Sequence, residues 1–257
     1  FFFNIIVLGA LSAAFVPLFI EQQKQKSPEH ANDMARSVLY IMTAALGIIC
    51  IVLFFKSFAI VRVLSFGDTP EGQIVTAQFF RIIVWALLLF GISNVVSGIL
   101  HAHRRFFVYA LAPLFYNMGI IIGAIVFVPW LGPVGLAWGV VLGATMHVLV
   151  QLPTAHAVGF RFRVPHDIFS PGVRQLLRLM PPRAFALGVT QMNMIILFAL
   201  ASTLEKGSRA VWQGADNLQN FPINIFGVSL ALAVFPLFSE AFADNDVQRF
   251  KKVFSEN

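Results

Sequence analysis

Long apolar runs alternate with short polar breaks along the entire chain. Seven runs stand out: Phe1–Ile20, Ser37–Phe55, Ala77–Leu100, Val108–Val128, Gly135–Leu152, Pro182–Leu204 and Val211–Phe238. Each is close to the ~20 residues that a helix needs to cross hydrocarbon. The seventh differs from the rest because it carries Gln213, Asp216, Asn217, Asn220 and Asn224. Offsets of 3, 4, 7 and 11 from Gln213 put all five on one face of a helix. Around them Ile223, Ile225, Phe226, Val228, Leu230 and Phe235 are as apolar as lipid. Polar groups inside hydrocarbon are costly unless they face a wet cavity or other helices. The pattern predicts a cavity-lining stripe, and with it something polar that moves through a membrane.

Composition supports the same class. Of the 257 residues 58% are hydrophobic and only 12% are charged, where soluble domains average about 25% charged. The expected fold is an all-α integral membrane protein, a polytopic helical bundle with seven visible spans. Phe1-Phe2-Phe3-Asn4-Ile5 enters an apolar run without an initiator Met. With no basic n-region and no small-residue cleavage site, this start reads as a cut inside or beside a span and not as a signal peptide. Cys50 is alone in an apolar run, which sets aside disulfides and cysteine metal sites.

A net charge of +6 would suggest nucleic acid in a soluble protein. Here its distribution by loop is more telling. Loops after the first, third, fifth and seventh runs hold twelve lysines and arginines, among them Lys24, Lys26, Arg36, Arg104, Arg105, Arg161 and Arg163. Those after the second, fourth and sixth hold four: Lys56, Arg62, Lys206 and Arg209. The positive-inside rule places the twelve-residue side in the cytoplasm. The charge is a topology signal, and no nucleic-acid partner is expected.

Smaller features agree with a bundle. Gly119 and Gly123, and Gly135, Gly139 and Gly143, have the four-residue spacing that lets helices approach closely. The Phe160-Arg161-Phe162-Arg163 alternation and Val173–Leu179 suggest an interfacial amphipathic helix on anionic lipid. Pro17-Leu18-Phe19-Ile20-Glu21 and Pro236-Leu237-Phe238-Ser239-Glu240 repeat the pattern Pro-Leu-Phe-x-Glu six spans apart. An even spacing gives a parallel repeat, so the whole protein would be roughly twice as long.

Several stretches resemble a known family. Gly9-Ala10-Leu11-Ser12-Ala13-Ala14-Phe15-Val16-Pro17 resembles the second-helix signature of the MviN/MurJ family of lipid II flippases. Leu136-Ala137-Trp138-Gly139-Val140 through Gln151-Leu152-Pro153 resembles its sixth helix, and Pro182-Arg183 through Gln191-Met192-Asn193, with Ala201-Ser202-Thr203-Leu204 and Gly207-Ser208, its seventh and the turn after it. Phe221-Pro222, Phe226-Gly227-Val228 and Phe235-Pro236-Leu237-Phe238-Ser239 resemble its eighth. The resemblance implies a fourteen-helix member of the multidrug/oligosaccharidyl-lipid/polysaccharide exporter superfamily, truncated here at both ends, with two pseudo-symmetric six-helix lobes. Residues 1–180 would be the N-terminal lobe, family helices two to six with the cytoplasmic connecting loop. Residues 181–257 would begin the C-terminal lobe with helices seven and eight. It further implies flipping of lipid II by alternating access, in a multi-pass monomer of the bacterial cytoplasmic (inner) membrane.

The chain departs from the family's pattern at three places. Asn217 follows Asp216 where a basic residue is common, Leu8 stands where Glu is common, and Asn4 occupies part of a basic run. A related exporter of another lipid-linked oligosaccharide, or an ion-coupled drug exporter, is the alternative, and a non-transporting membrane scaffold is a third reading.

The candidate cavity residues are Arg183, Gln191, Gln213, Asp216, Asn217, Asn220 and Asn224. Arg183, at the cytoplasmic start of its span after Pro181-Pro182, is either a snorkelling anchor or the holder of a substrate pyrophosphate, for which a guanidinium is well shaped. Asp216, a carboxylate among amides in hydrocarbon, points to function: a partner arginine or a coupling cation. Gln191 and Asn193 fall on different faces, so one at most looks into a given cavity. Arg81, with Gln78 one turn earlier, reads as an outer-interface anchor. Asn94, Ser97 and Asn117 read as helix–helix contacts. His147 and Gln151 share a face but lack a third ligand, so no metal site is expected. No H-E-x-x-H, G-x-S-x-G or G-x-x-x-x-G-K-[ST] motif occurs, and no catalytic role is expected. No cofactor is expected either; the membrane potential or a monovalent cation would supply coupling. Lipid II and membrane lipids are the expected partners.

Overall fold

A computed structural model describes residues 12–205 and 207–228, apart from the side chains of Ser12, Ala13, Arg183, Leu187, Thr190, Asn224, Gly227 and Val228. The opening helices are α1 (Ser12–Gln25), α2 (Pro28–Leu64) and α3 (Pro70–Ala102). The last two begin at caps, well before the sequence turns apolar. Ser27 Oγ accepts the His30 N–H at 3.2 Å, with Pro28 in the first turn and Glu29 beside it. Thr69 Oγ1 accepts the Gly72 N–H at 3.3 Å, followed likewise by Pro70 and Glu71. Proline suits the first turn because its missing N–H would be unpaired there anyway, and the carboxylate faces the positive end of the helix dipole. These caps lengthen α2 to 37 residues and α3 to 33. At 1.5 Å per residue they are roughly 55 and 50 Å long, against hydrocarbon about 30 Å thick. The runs Ser37–Phe55 and Ala77–Leu100 therefore mark only the middle of each helix.

The next 52 residues, Phe106–Ala157, are one apolar stretch that doubles back on itself. α4 (Phe106–Ile122) continues through a π-helical turn, Gly123–Phe127, and a short α5 (Val128–Leu131). The chain reverses at Gly132, whose φ of +66° favours glycine, and returns as α6 (Gly135–Leu149). Gly119 meets the backbone of Gly143, Gly123 that of Gly139, and Gly135 that of Phe127 and Val128. One number rises as the other falls, so the two arms are antiparallel. The glycine spacing thus produces the close approach it predicts, with backbone occupying the space where each Cβ would be.

After α7 (Leu152–Ala157) the chain runs without regular structure to α8 (Pro171–Ala201). Here the interfacial-helix expectation is corrected. Phe160–Arg163 is not helical: it is an irregular segment that puts Phe160 fully inside and leaves Arg161 exposed. Val173–Leu179 is helical, but it forms the first turns of α8, which passes through Pro181 and Pro182 without ending. Val173 and Leu176 are buried in one core with Phe15, Phe19, Leu39 and Phe160, so this face rests on protein and not on lipid. Each proline withholds one N–H, from the carbonyls of Leu177 and Arg178 respectively; the helical path persists because the residues on both sides continue to pair.

Contacts among the loops match the sides assigned by charge. Gln23 Nε2 lies 3.4 Å from His103 Nε2, and Asn32 Nδ2 donates to Gly159 O at 3.4 Å, which joins the breaks after the first, third and fifth runs. On the other side the Gly67 N–H donates to Ser202 Oγ at 3.2 Å, joining the break after the second run to the end of the sixth.

Residues 204–257 form a second compact unit, of which the described part is α9 (Ser208–Pro222) and a π-helical turn, Ile223–Val228. Pro222 has no N–H for the carbonyl of Leu218, and the α-helical ladder changes just beyond it. Phe1–Leu11, with Asn4, Leu8 and Gly9, and the second Pro-Leu-Phe-x-Glu copy lie outside the described residues.

Candidate functional site

The polar stripe falls on α9. Gln213, Asp216, Asn217 and Asn220 occupy one helical face, Asp216 half-buried and the other three exposed. Asn220 Nδ2 donates to the Asp216 carbonyl of its own helix at 2.9 Å, so that amide is partly satisfied without a ligand. Asn224 stands in the π-helical turn, where the angular step per residue is smaller than in α9; its side chain lies outside the described residues. In the first unit, Arg183 follows the two prolines of α8, with its side chain also outside the description, and Gln191 is half-buried further along that helix.

A second polar group lies in the bundle interior, where α3 meets α6. Ser97 Oγ donates to Gln151 Oε1 at 2.8 Å, and Gln151 Nε2 donates to Ser93 Oγ at 2.7 Å and to the His147 carbonyl at 2.9 Å. Ser93 Oγ is bonded to His147 Nδ1 at 2.6 Å. Gln151 and Ser93 are fully buried. The His147–Gln151 pair is therefore tied to α3, and Ser97 acts as the helix–helix contact its position suggests. Asn94 does not: its Nδ2 donates to Phe90 O within α3 at 2.8 Å. Hydrogen bonds between membrane helices are worth about 0.6 kcal/mol on average, so Ser97→Ala should cost about that much. Gln151→Leu, which strands Ser97 and leaves Ser93 with His147 alone, should cost about 1–2 kcal/mol. Thermal unfolding in detergent reads both, and equal losses would show that Gln151 does not hold the group together.

Arg81, exposed on one side, also reaches a neighbouring helix. Its Nε donates to the buried Ser57 Oγ at 2.7 Å, and its guanidinium stands 5.8 Å from the centroid of the Phe54 ring. It joins α3 to α2, with a hydroxyl and an aromatic face as partners for the guanidinium. An apolar cavity of about 700 Å³ between α2, α3, α4, α6 and α8 is lined by residues including Leu53, Phe80, Phe90, Val140 and Met192, with Tyr116 the one polar side chain. Such a lining suits hydrocarbon and gives a charged or sugar group little to bond beyond the Tyr116 hydroxyl.

Sequence reasoning missed a cluster at the N-terminal end of α2. Arg36, 4% exposed, donates from Nη1 to Glu29 Oε1 at 2.8 Å and to Asp33 Oδ1 at 3.4 Å, and from Nε to Arg161 O at 2.9 Å. The Asp33 carboxylate accepts the His166 N–H at 3.2 Å, and Ser37 Oγ lies 3.0 Å from both Asp33 O and Asp167 O. Residues 159–167 are thereby fastened to α2. The available clue was Glu29, Asp33 and Arg36 at i, i+4 and i+7, one helical face just outside an apolar run. A count of loop charges registers Arg36 only as a topology signal.

A family model described as "Lipid II flippase MurJ" matches residues 1–256. The chain belongs to this family. Similar curated proteins are a probable lipid II flippase MurJ of Buchnera aphidicola subsp. Acyrthosiphon pisum, 28% identical over 249 residues, and a lipid II flippase MurJ of Burkholderia cenocepacia, 29% identical over 253. These alignments cover 95% and 94% of this chain but 49% and 48% of the relatives. The chain thus spans about half the length of the curated MurJ proteins it matches. A solved lipid II flippase MurJ in an inward closed conformation matches 97% of this chain and 51% of its own, with a TM-score of 0.77 and 23% identity. That likeness shows the MurJ fold: a polytopic helical membrane protein. The MurJ assignment and the long apolar helices make the chain part of a multi-pass protein of the bacterial inner membrane.

Proposed function

We propose that the full-length protein flips lipid II, the lipid-linked peptidoglycan precursor, across the bacterial cytoplasmic membrane by alternating access, as a transporter and not a catalyst. The family match over residues 1–256 carries this reading. The stripe on α9 supports it, because a sugar and pyrophosphate headgroup needs a polar path while its polyprenyl tail stays in lipid. Residues 1–180 would belong to the first lobe and 181–257 would begin the second. Arg183 would hold the pyrophosphate, and Asp216 would pair with a basic residue outside this chain or bind a coupling cation. Gln191, Gln213, Asn217, Asn220 and Asn224 would supply hydrogen bonds. The protein would work as a monomer with membrane lipids around it, with the membrane potential or a monovalent cation as drive.

Depletion of the full-length protein in its host is expected to stop lipid II from reaching the outer leaflet, measured by its accessibility to an externally added probe. Continued exposure of lipid II with no substitute flippase would sink the proposal. Asp216→Ala in the full-length protein is expected to abolish complementation, and Asn220→Ala, whose amide already bonds its own helix, to weaken it less. Asn217, where the family often has a basic residue, favours a second reading: export of another lipid-linked oligosaccharide or a drug. Full complementation by Arg183→Ala combined with Asp216→Ala would instead favour a scaffold.

A further inference from the structure

Arg174 and Arg178 lie one turn apart on the outward face of α8, opposite the buried Val173 and Leu176. With Pro171, Gln175 and Leu179 they line a cavity of about 510 Å³ that contains no carboxylate. Arg174 Nε donates to Phe169 O at 2.8 Å, which braces the guanidinium and leaves its terminal nitrogens available. Arg178 makes no hydrogen bond or ion pair among the described residues. Beside them Ile168, Phe169 and Leu179 are 42%, 54% and 41% exposed. The ledge is preformed: the segment before it is fastened to α2 through Arg36, Asp33 and Ser37. It sits at the end of a membrane-length helix, on the side that the loop charges assign to the cytoplasm.

We propose that this ledge binds the headgroup phosphate of an anionic phospholipid of the cytoplasmic leaflet. Arg174 and Arg178 bracket the phosphate, and Ile168, Phe169 and Leu179 lie along the glycerol and upper acyl carbons. Guanidinium suits a phosphate because its planar fork matches two oxygens at once. Basic pockets at the cytoplasmic ends of membrane helices favour anionic headgroups. The flanking apolar side chains select a lipid over a free ion. This site lies on α8, within the first compact unit, and the proposal does not depend on the transported substrate.

The test uses the full-length protein in detergent, titrated by native mass spectrometry with phosphatidylglycerol, phosphatidylcholine and undecaprenyl pyrophosphate in separate arms. Arg174→Gln with Arg178→Gln is expected to weaken phosphatidylglycerol binding about 30-fold, with the other two lipids held within about twofold and an unchanged melting temperature. Arg174→Lys with Arg178→Lys keeps the charge without the fork and is expected to recover only part of the binding; it serves in place of the glutamine pair should that fail to fold. Unchanged phosphatidylglycerol binding in the glutamine pair, or in its place no loss at all in the lysine pair, overturns the proposal. So does loss of undecaprenyl pyrophosphate in place of, or equally with, phosphatidylglycerol, because the ledge would then serve pyrophosphate or any phosphate.

Discussion

Replacing Gly139 by valine is expected to prevent the Phe106–Ala157 hairpin from closing and to leave little protein that survives detergent extraction as a monodisperse peak. A Cβ at this position would lie 2.7 Å from the Gly123 Cα and 3.2 Å from the Gly119 carbonyl oxygen. Both are backbone atoms, so no rotamer change relieves the clash and the helices must separate. Overpacked sites usually cost about 1–3 kcal/mol. Here the cost should reach or exceed the upper end, because separation also loses the van der Waals contact that drives helix association in lipid. Gly47→Ala is the matched control, since its Cβ would meet nothing within 4 Å and alanine is the better helix former by about 1 kcal/mol. Equal melting of the two variants would show that α4 and α6 do not meet through their glycines.

The second large effect is expected at Arg36. Arg36→Leu removes the cation between Glu29 and Asp33 and the donor to the Arg161 carbonyl. Removing one partner of a buried pair costs about 3–5 kcal/mol. The value here should be nearer 2–3 kcal/mol, because Glu29 is 69% exposed and recovers water while Asp33 keeps the His166 N–H. The consequence is local: Arg161 and its immediate neighbours should loosen from α2. Trypsin added on the cytoplasmic side of inverted vesicles should then cut after Arg161 or Arg163 about tenfold faster or more, since cleavage follows the open population. Arg36→Lys should fall between the two, keeping the charge but losing the Nε bond. Unaltered cleavage in Arg36→Leu would mean that the segment is held elsewhere.

Much of this architecture was legible because the bilayer makes length and polarity decisive. The centres of α2, α3, α4, α6 and α8 follow from apolar runs, and the glycine spacings anticipated the α4–α6 contact. The ends were less legible, since a helix stops at its caps and not at the edge of hydrocarbon. Ser27-Pro28-Glu29 and Thr69-Pro70-Glu71 record those caps in the sequence and reward reading for turn chemistry as well as hydropathy. Of the candidate site, the stripe of Gln213, Asp216, Asn217 and Asn220 follows directly from helical periodicity. The Ser93–Ser97–His147–Gln151 group does not, because its two halves are some 50 residues apart in sequence and meet only when α3 packs on α6.

By itself the sequence determined the class, the grouping of the loops and the family, because each rests on local quantities: run length, loop charge and ordered short motifs. Tertiary structure alone decided what several polar residues are for. Arg36, Arg81, Arg174 and Arg178 are indistinguishable as entries in a charge count. Packing buries Arg36 under a connecting segment, draws Arg81 across to Ser57 and Phe54, and leaves Arg174 and Arg178 facing outward. The physical reason is that burial depends on which elements meet. The same guanidinium is a clamp where carboxylates and carbonyls surround it and a free binding group where nothing does.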